Sequence, residues 1–130
     1  MSQAAIVEEG AACRPNISPA GVRRRLRFAW SSVVFGVVIL AGLAAIHARW
    51  YARLVIFLPA VMATVGFLQA RRQTCVARAA EGTFEHDDFS KTKAPDEDVR
   101  RSRVVAATVN RDSILIGLAA AVLAALSAAL

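Results

Sequence analysis

Cys75 has the side chain best placed in this sequence for covalent chemistry. It follows Arg71 and Arg72 within about one turn, and nearby positive charge lowers a thiol's pKa and favours the nucleophilic thiolate. It is therefore the candidate reactive thiol, suited to sulfur transfer or redox exchange. No neighbour in sequence offers an obvious general base, so the plainer reading is an inert thiol. Glu85, His86, Asp87 and Asp88 form the one cluster whose residue types suit a metal. Tandem neighbours in a loop rarely converge on one ion, and no second His or Cys stands at ligand spacing. A solvated acidic loop with no metal is the expectation there. His47 has the chemistry of an axial haem ligand, but beside Arg49 it reads as a wetted boundary residue, and no cofactor is expected. Cys13 ends a Gly-Ala-Ala-Cys run that looks like a lipoprotein signal, yet Glu8 and Glu9 interrupt the apolar stretch such a signal needs.

The elements that must position these residues are dominated by apolar blocks. Of 130 residues, 56% are hydrophobic and 20% charged, with a mean hydropathy of +0.45, too apolar for an ordinary soluble domain. Between Arg27 and Arg49 lie 21 residues without formal charge apart from a proton on His47. At roughly 1.5 Å per residue a helix of that length covers about 30 Å, one bilayer core. A second uncharged block runs from Leu54 to Ala70, and a third, rich in Ala, from Ser113 to Leu130. The blocks leave too little apolar material outside themselves for a water-soluble core, which argues against a soluble enzyme domain.

Helix starts are marked. Ser18-Pro19 matches an N-cap followed by proline at the first helical position. Pro95 precedes Asp96, Glu97 and Asp98, which would place three carboxylates where the helix dipole favours them, with Arg100 and Arg101 four residues on. The expected fold is an all-α integral membrane protein: a two-span helical hairpin plus a third, Ala-rich C-terminal transmembrane helix. Its expected divisions are a disordered tail over residues 1–18, a basic helix and two-span hairpin over 19–78, a cytoplasmic loop over 79–94, and a surface helix over 95–130 that continues into the third span. Pro59, inside the second block, should kink its helix.

The net charge of +6 and pI near 10.6 raise the question of nucleic acid. The arginines flank the apolar blocks, where orientation signals belong, so no nucleic acid is expected. Fourteen of the sixteen Lys and Arg fall before the first block or between residues 71 and 112, against Arg49 and Arg53 in the short connection. The positive-inside rule then puts the N-terminus and the long loop in the cytoplasm and the hairpin turn and C-terminus outside. Both cysteines fall on the reducing side, where a disulfide is not expected. Arg23, Arg24, Arg25 and Arg27 are the candidate contacts to anionic lipid headgroups. Gly117, Ala121, Ala125 and Ala129 recur every four residues, with Ala120, Ala124 and Ala128 beside them, and give a small-sided face that lets another helix approach closely. None of the three blocks carries an ionisable residue well inside it, which argues against a transporter acting alone.

Asn16, the arginine run, Gly66-Phe67 and Thr74-Cys75 resemble, in order and rough spacing, a family of very small bacterial inner-membrane proteins with two closely spaced spans. That family is sometimes fused or adjacent to rhodanese-like sulfur-transfer domains and is largely of unknown function. The resemblance covers about residues 14–78 and leaves the third block outside. It implies the two-span hairpin, an inner-membrane location and thiol chemistry. Such proteins tend to carry Cys-Pro-Leu after the Gly-Phe, whereas this chain has Leu68-Gln69-Ala70, so one of the family's two cysteines is missing. Without ionisable groups at depth or a convergent site, the expected role is non-catalytic. The chain reads as an accessory, assembly or stabilising subunit packed against a larger membrane complex or a second copy of itself. The competing role is sulfur or redox handling through Cys75 at the inner surface.

Overall fold

A computed structural model describes residues 16–130. The expectations for Cys13 and for most of the N-terminal tail lie outside the described residues. Asn16, Ile17 and Ser18, assigned to that tail, are buried. They belong to the folded unit because Asn16 bonds to Gln73 and Cys75, at the junction of two helices, and to Glu85, in the strand that follows, as set out below.

Helix α1 spans Pro19–Ala45. The Ser18 hydroxyl accepts the Gly21 N–H at 3.1 Å and Pro19 opens the first turn, as that pair of residues dictates. After Ile46 the chain reverses through His47, whose φ of 50° lies in the left-handed region. Helix α2, Trp50–Arg53, runs through a 3-10 turn at Leu54–Ile56 into α3, Phe57–Arg72. The expected break at Pro59 is thereby relocated. Pro59 occupies the third position of α3, where no helical N–H is needed, and the geometry tightens just ahead of it. Helix α5, Asp96–Leu126, is continuous from its three-carboxylate first turn and closes in a 3-10 turn at Ser127–Ala129. Counting those flanking turns, three helices are long and apolar enough to cross a membrane: Pro19–Ala45, Trp50–Arg72 and Asp96–Ala129.

The segment expected as a loop over 79–94 is more ordered than that. Helix α4 covers Val76–Glu81 and ends at Gly82, φ 72°. Strands β1, Thr83–Glu85, and β2, Lys91–Lys93, then pair antiparallel, with Thr83 opposite Lys93 and Glu85 opposite Lys91. These residues carry the β-branched, aromatic and oppositely charged pairs that suit a ladder. The turn between them is locked by Asp88, whose carboxylate accepts both the Ser90 N–H at 3.0 Å and the Ser90 hydroxyl. Two three-residue strands are thus added to an otherwise helical chain.

Helix α3 is the centre of a row, with α1 packed on one side and α5 on the other, while α1 and α5 hardly touch. Small residues set both distances. A methyl group added at Gly66 would meet the Ala29 Cβ at 2.9 Å and the Arg25 carbonyl at 3.1 Å, and one added at Gly117 would collide with Val61. The buried stripe of α5 runs Ser102, Ala106, Val109, Ser113, Gly117, Ala121, Ala124. A strict four-residue repeat drifts about 40° per step from the 3.6-residue period. The stripe therefore passes to Ala124, leaving Ala125 half-buried and Ala129 exposed.

Candidate functional site: an arginine-lined cavity beside Cys75

The polar end of the row is organised by Asn16, which is 1% exposed. Its Oδ1 accepts the Cys75 N–H at 2.6 Å and its Nδ2 donates to the Cys75 carbonyl at 3.2 Å. Its own N–H donates to the Gln73 carbonyl, and its carbonyl accepts the Glu85 N–H at 2.8 Å. A buried amide with partners on both side-chain atoms and both main-chain groups fixes geometry without leaving a polar group orphaned. It ties the entry to α1, the α3–α4 junction and β1 together. The junction itself turns sharply because Gln73 caps α3 in the left-handed conformation, φ 49°.

Glu85 is drawn inward by this tie. Its side chain is 4% exposed and lies between two guanidinium groups, Arg25 at 3.4 Å and Arg78 at 3.3 Å. Arg25 is further held by Gln69, which accepts from its Nε at 2.9 Å, and by the Gly21 carbonyl at 3.1 Å. Gly21 leaves the room this requires, since a methyl group there would collide with the Glu85 carboxylate. Arg24 lies 5.4 Å from the ring centre of Phe89, over its face. On the outer side, hydrogen bonds from Lys91 and then Arg78 hold the Glu81 carboxyl below its ordinary range.

A cavity of about 350 Å³ opens here, lined by Arg24, Arg25, Phe28, Cys75, Ala77 and Arg78. Three guanidinium groups line the cavity beside the buried thiol; Arg25 and Arg78 are paired with Glu85, and Arg78 also with Glu81, while Arg24 forms no ion pair among the described residues. Such an arrangement is suited to an anion, because arginine offers paired N–H donors in fixed geometry.

The sequence-level candidates divide around this cavity. Arg71 and Arg72, nearest to Cys75 in sequence, do not line it; Arg72 pairs with Asp112 at 3.1 Å. Of the four arginines assigned to headgroups, Arg23, Arg24 and Arg27 are exposed and Arg25 turns inward to Gln69 and Glu85. The acidic cluster diverges: Glu85 turns to the arginines, Asp88 to Ser90, His86 to Thr92 at 3.0 Å, and Asp87 accepts the Ala20 N–H at 3.4 Å. No group of His, Cys, Asp and Glu that could hold a metal ion occurs among the described residues. Gly117 is buried between α5 and α3, and Ala121 is buried one turn further along the same stripe of α5. Sequence reasoning missed Arg78 as a cavity group and Glu85 as its buried partner, and the signal for them was weak: a carboxylate in a polar segment looks solvated until its Arg partners are brought together.

Comparison with family models, with curated proteins and with solved structures finds no match to this chain.

Proposed function

We propose that this chain is a small, non-catalytic integral membrane protein of the bacterial inner membrane that acts as an accessory or stabilising subunit of a larger membrane complex. In this reading the N-terminus and the α4–hairpin segment are cytoplasmic, and the α1–α2 turn and C-terminus lie outside. Arg23, Arg24 and Arg27 meet anionic headgroups. The observation that carries the subunit reading is the open row of helices. Helix α1 is packed chiefly against α3, and Val34, Phe35 and Val38 stand exposed along it. In lipid such a face gains little from hydrophobicity itself, and packing against another helix is what it has left to contribute. A photo-crosslinking residue placed at Phe35 in the native membrane tests this. One discrete protein adduct supports the reading, whether with a larger subunit or a second copy, and adducts to lipid alone overturn it.

A second reading, thiol-dependent sulfur or redox handling, is favoured by one observation: Cys75 lines a cavity with three arginines. An anionic sulfur compound would be drawn to it. Cys75→Ser decides between the two readings. A retained cellular phenotype favours the subunit role, and a lost phenotype at unchanged protein level favours the thiol.

A further inference from the structure

The opposite end of the molecule carries positive charge that the described chain does not neutralise. Arg53, in α2, is 8% exposed. Its Nη1 donates to the Ser127 hydroxyl at 2.8 Å, and that hydroxyl is itself committed to the Ala124 carbonyl at 2.6 Å. Ser127 therefore supplies no charge. The Arg53 Nε is buried without a hydrogen-bond partner. Among the described residues neither Arg53 nor Arg49 forms an ion pair. The last acidic side chain along α5 is Asp112, fifteen residues before Ser127 and so about 22 Å away along the helix. A buried guanidinium with no counter-charge is unfavourable, and the structure as a whole is relieved if an anion comes to it from outside the chain.

Next to this group lies a cavity of about 660 Å³ between the α1–α2 turn and the end of α5. Its lip is polar and cationic, formed by His47 and Arg49 with Trp50 beside them, and its walls are apolar, formed by Leu54, Val122 and Leu126. Leu126 and Ala128, on either side of Ser127, are part of the lining, so Arg53 stands directly behind the wall. A charged lip over apolar walls selects an amphiphile with an anionic head rather than a small ion, which would leave the walls wet. Trp50 and Tyr51 are exposed at the same level, where amphipathic rings sit at a membrane boundary.

We propose that the cavity between the α1–α2 turn and the C-terminal end of α5 binds an acidic phospholipid. Its phosphate is held by Arg49 at the lip and favoured by the Arg53 charge behind the wall, and its acyl chain lies against Leu54, Val122 and Leu126. The two N–H edges of a guanidinium match phosphate oxygens, and a net negative headgroup neutralises what a zwitterionic one leaves unbalanced. This site rests on the membrane reading but not on the subunit role, which concerns the exposed face of α1.

The test is photolabelling of the full chain in vesicles with a photoreactive phosphatidylglycerol, the labelled residues being located by peptide mapping. Parallel samples contain photoreactive phosphatidylcholine, or millimolar inorganic phosphate as competitor. Labelling at residues 47–54 and 122–130 by the acidic lipid, exceeding that by phosphatidylcholine about fivefold and falling about fivefold in Arg49→Gln, is the expected result. Labelling of the N-terminal arginine region by the acidic lipid serves as the internal reference for the variants and stays the same in the parent and in Arg49→Gln. Arg49 is exposed and outside the packed core, so its variant reads the site without disturbing the fold; Arg53→Gln is the second variant and should lower labelling as well. Equal labelling by both lipids, or labelling unchanged in Arg49→Gln, overturns the proposal. Loss of label on adding inorganic phosphate also overturns it, since the site would then take the free ion.

Discussion

The two ends of the helix row treat arginine in opposite ways. At the end where α1 begins, Arg25 is part-buried and its charge is met by Glu85, with Gln69 and the Gly21 carbonyl taking its other donors. At the end where α1 turns into α2, Arg53 is more deeply enclosed but is given one neutral hydroxyl and an orphaned Nε. The first end is a self-contained knot that fixes how four segments meet. The second depends on groups beyond the chain. Burial alone therefore says little about what an arginine contributes, and the location of the nearest carboxylate decides it.

The largest effect is expected at Glu85. Glu85→Ala leaves Arg25 enclosed without its carboxylate, and Arg78 with Glu81 alone, and should destabilise the protein by about 3 kcal/mol, measured by unfolding in mixed micelles. Glu85→Gln should lie between that and the parent. A change under about 1 kcal/mol for Glu85→Ala would show that the knot contributes little to the fold.

Between the two ends lies the contact of α5 on α3. Ala121 is buried there while Leu123 is largely exposed. Ala121→Leu should cost about 1 to 3 kcal/mol by overpacking. Leu123→Ala should change stability by less than about 0.5 kcal/mol in the same assay. Equal effects would mean that the small-sided stripe does not hold α5 in place.

Arg53 should behave unlike Glu85. In detergent free of acidic lipid, Arg53→Met removes an uncompensated charge and should be neutral or stabilising by about 1 kcal/mol. A loss comparable to that of Glu85→Ala would mean that Ser127 alone satisfies the guanidinium.

The smallest effect expected is with pH, at the hairpin. The Ser90 hydroxyl and N–H hold the Asp88 carboxyl below its usual range, and hydrogen bonds from Lys91 and Arg78 do the same for Glu81. A carboxyl whose folded pKa is lowered contributes stability above its unfolded pKa and loses it as the pH falls through the folded value. Both side chains are solvated, so only local loosening should follow. Protection of amides in residues 83–93, taken relative to the intrinsic exchange rate at each pH, should fall between neutral pH and about pH 3, ahead of protection in α3. Uniform exchange across both regions would contradict it.

Much of the helical plan was legible. Ser18-Pro19 and Pro95 with its three acids mark helix starts that depend only on local capping, and apolar length marks the rest. What could not be read depends on distant partners. Glu85 looked solvated because its companions, Arg25 and Arg78, lie 60 and 7 residues away and meet it only once Asn16 has pinned the chain. The hairpin was missed because its strands are three residues each, below the length at which alternation is visible. The drift from Ala125 to Ala124 is a fractional-period effect that a fixed four-residue spacing conceals.

We propose that the row of helices crosses a membrane with its knotted, arginine-rich end inside and the α1–α2 turn outside. Cysteine accessibility tests it most directly, in a chain carrying Cys13→Ser and Cys75→Ser so that only introduced thiols react. His47 and Ser90 are both exposed and stand at opposite ends. The account predicts that His47→Cys reacts with a membrane-impermeant maleimide added to intact cells and that Ser90→Cys reacts only after permeabilisation. Labelling of Ser90→Cys but not His47→Cys in intact cells, or of neither or both, would contradict it.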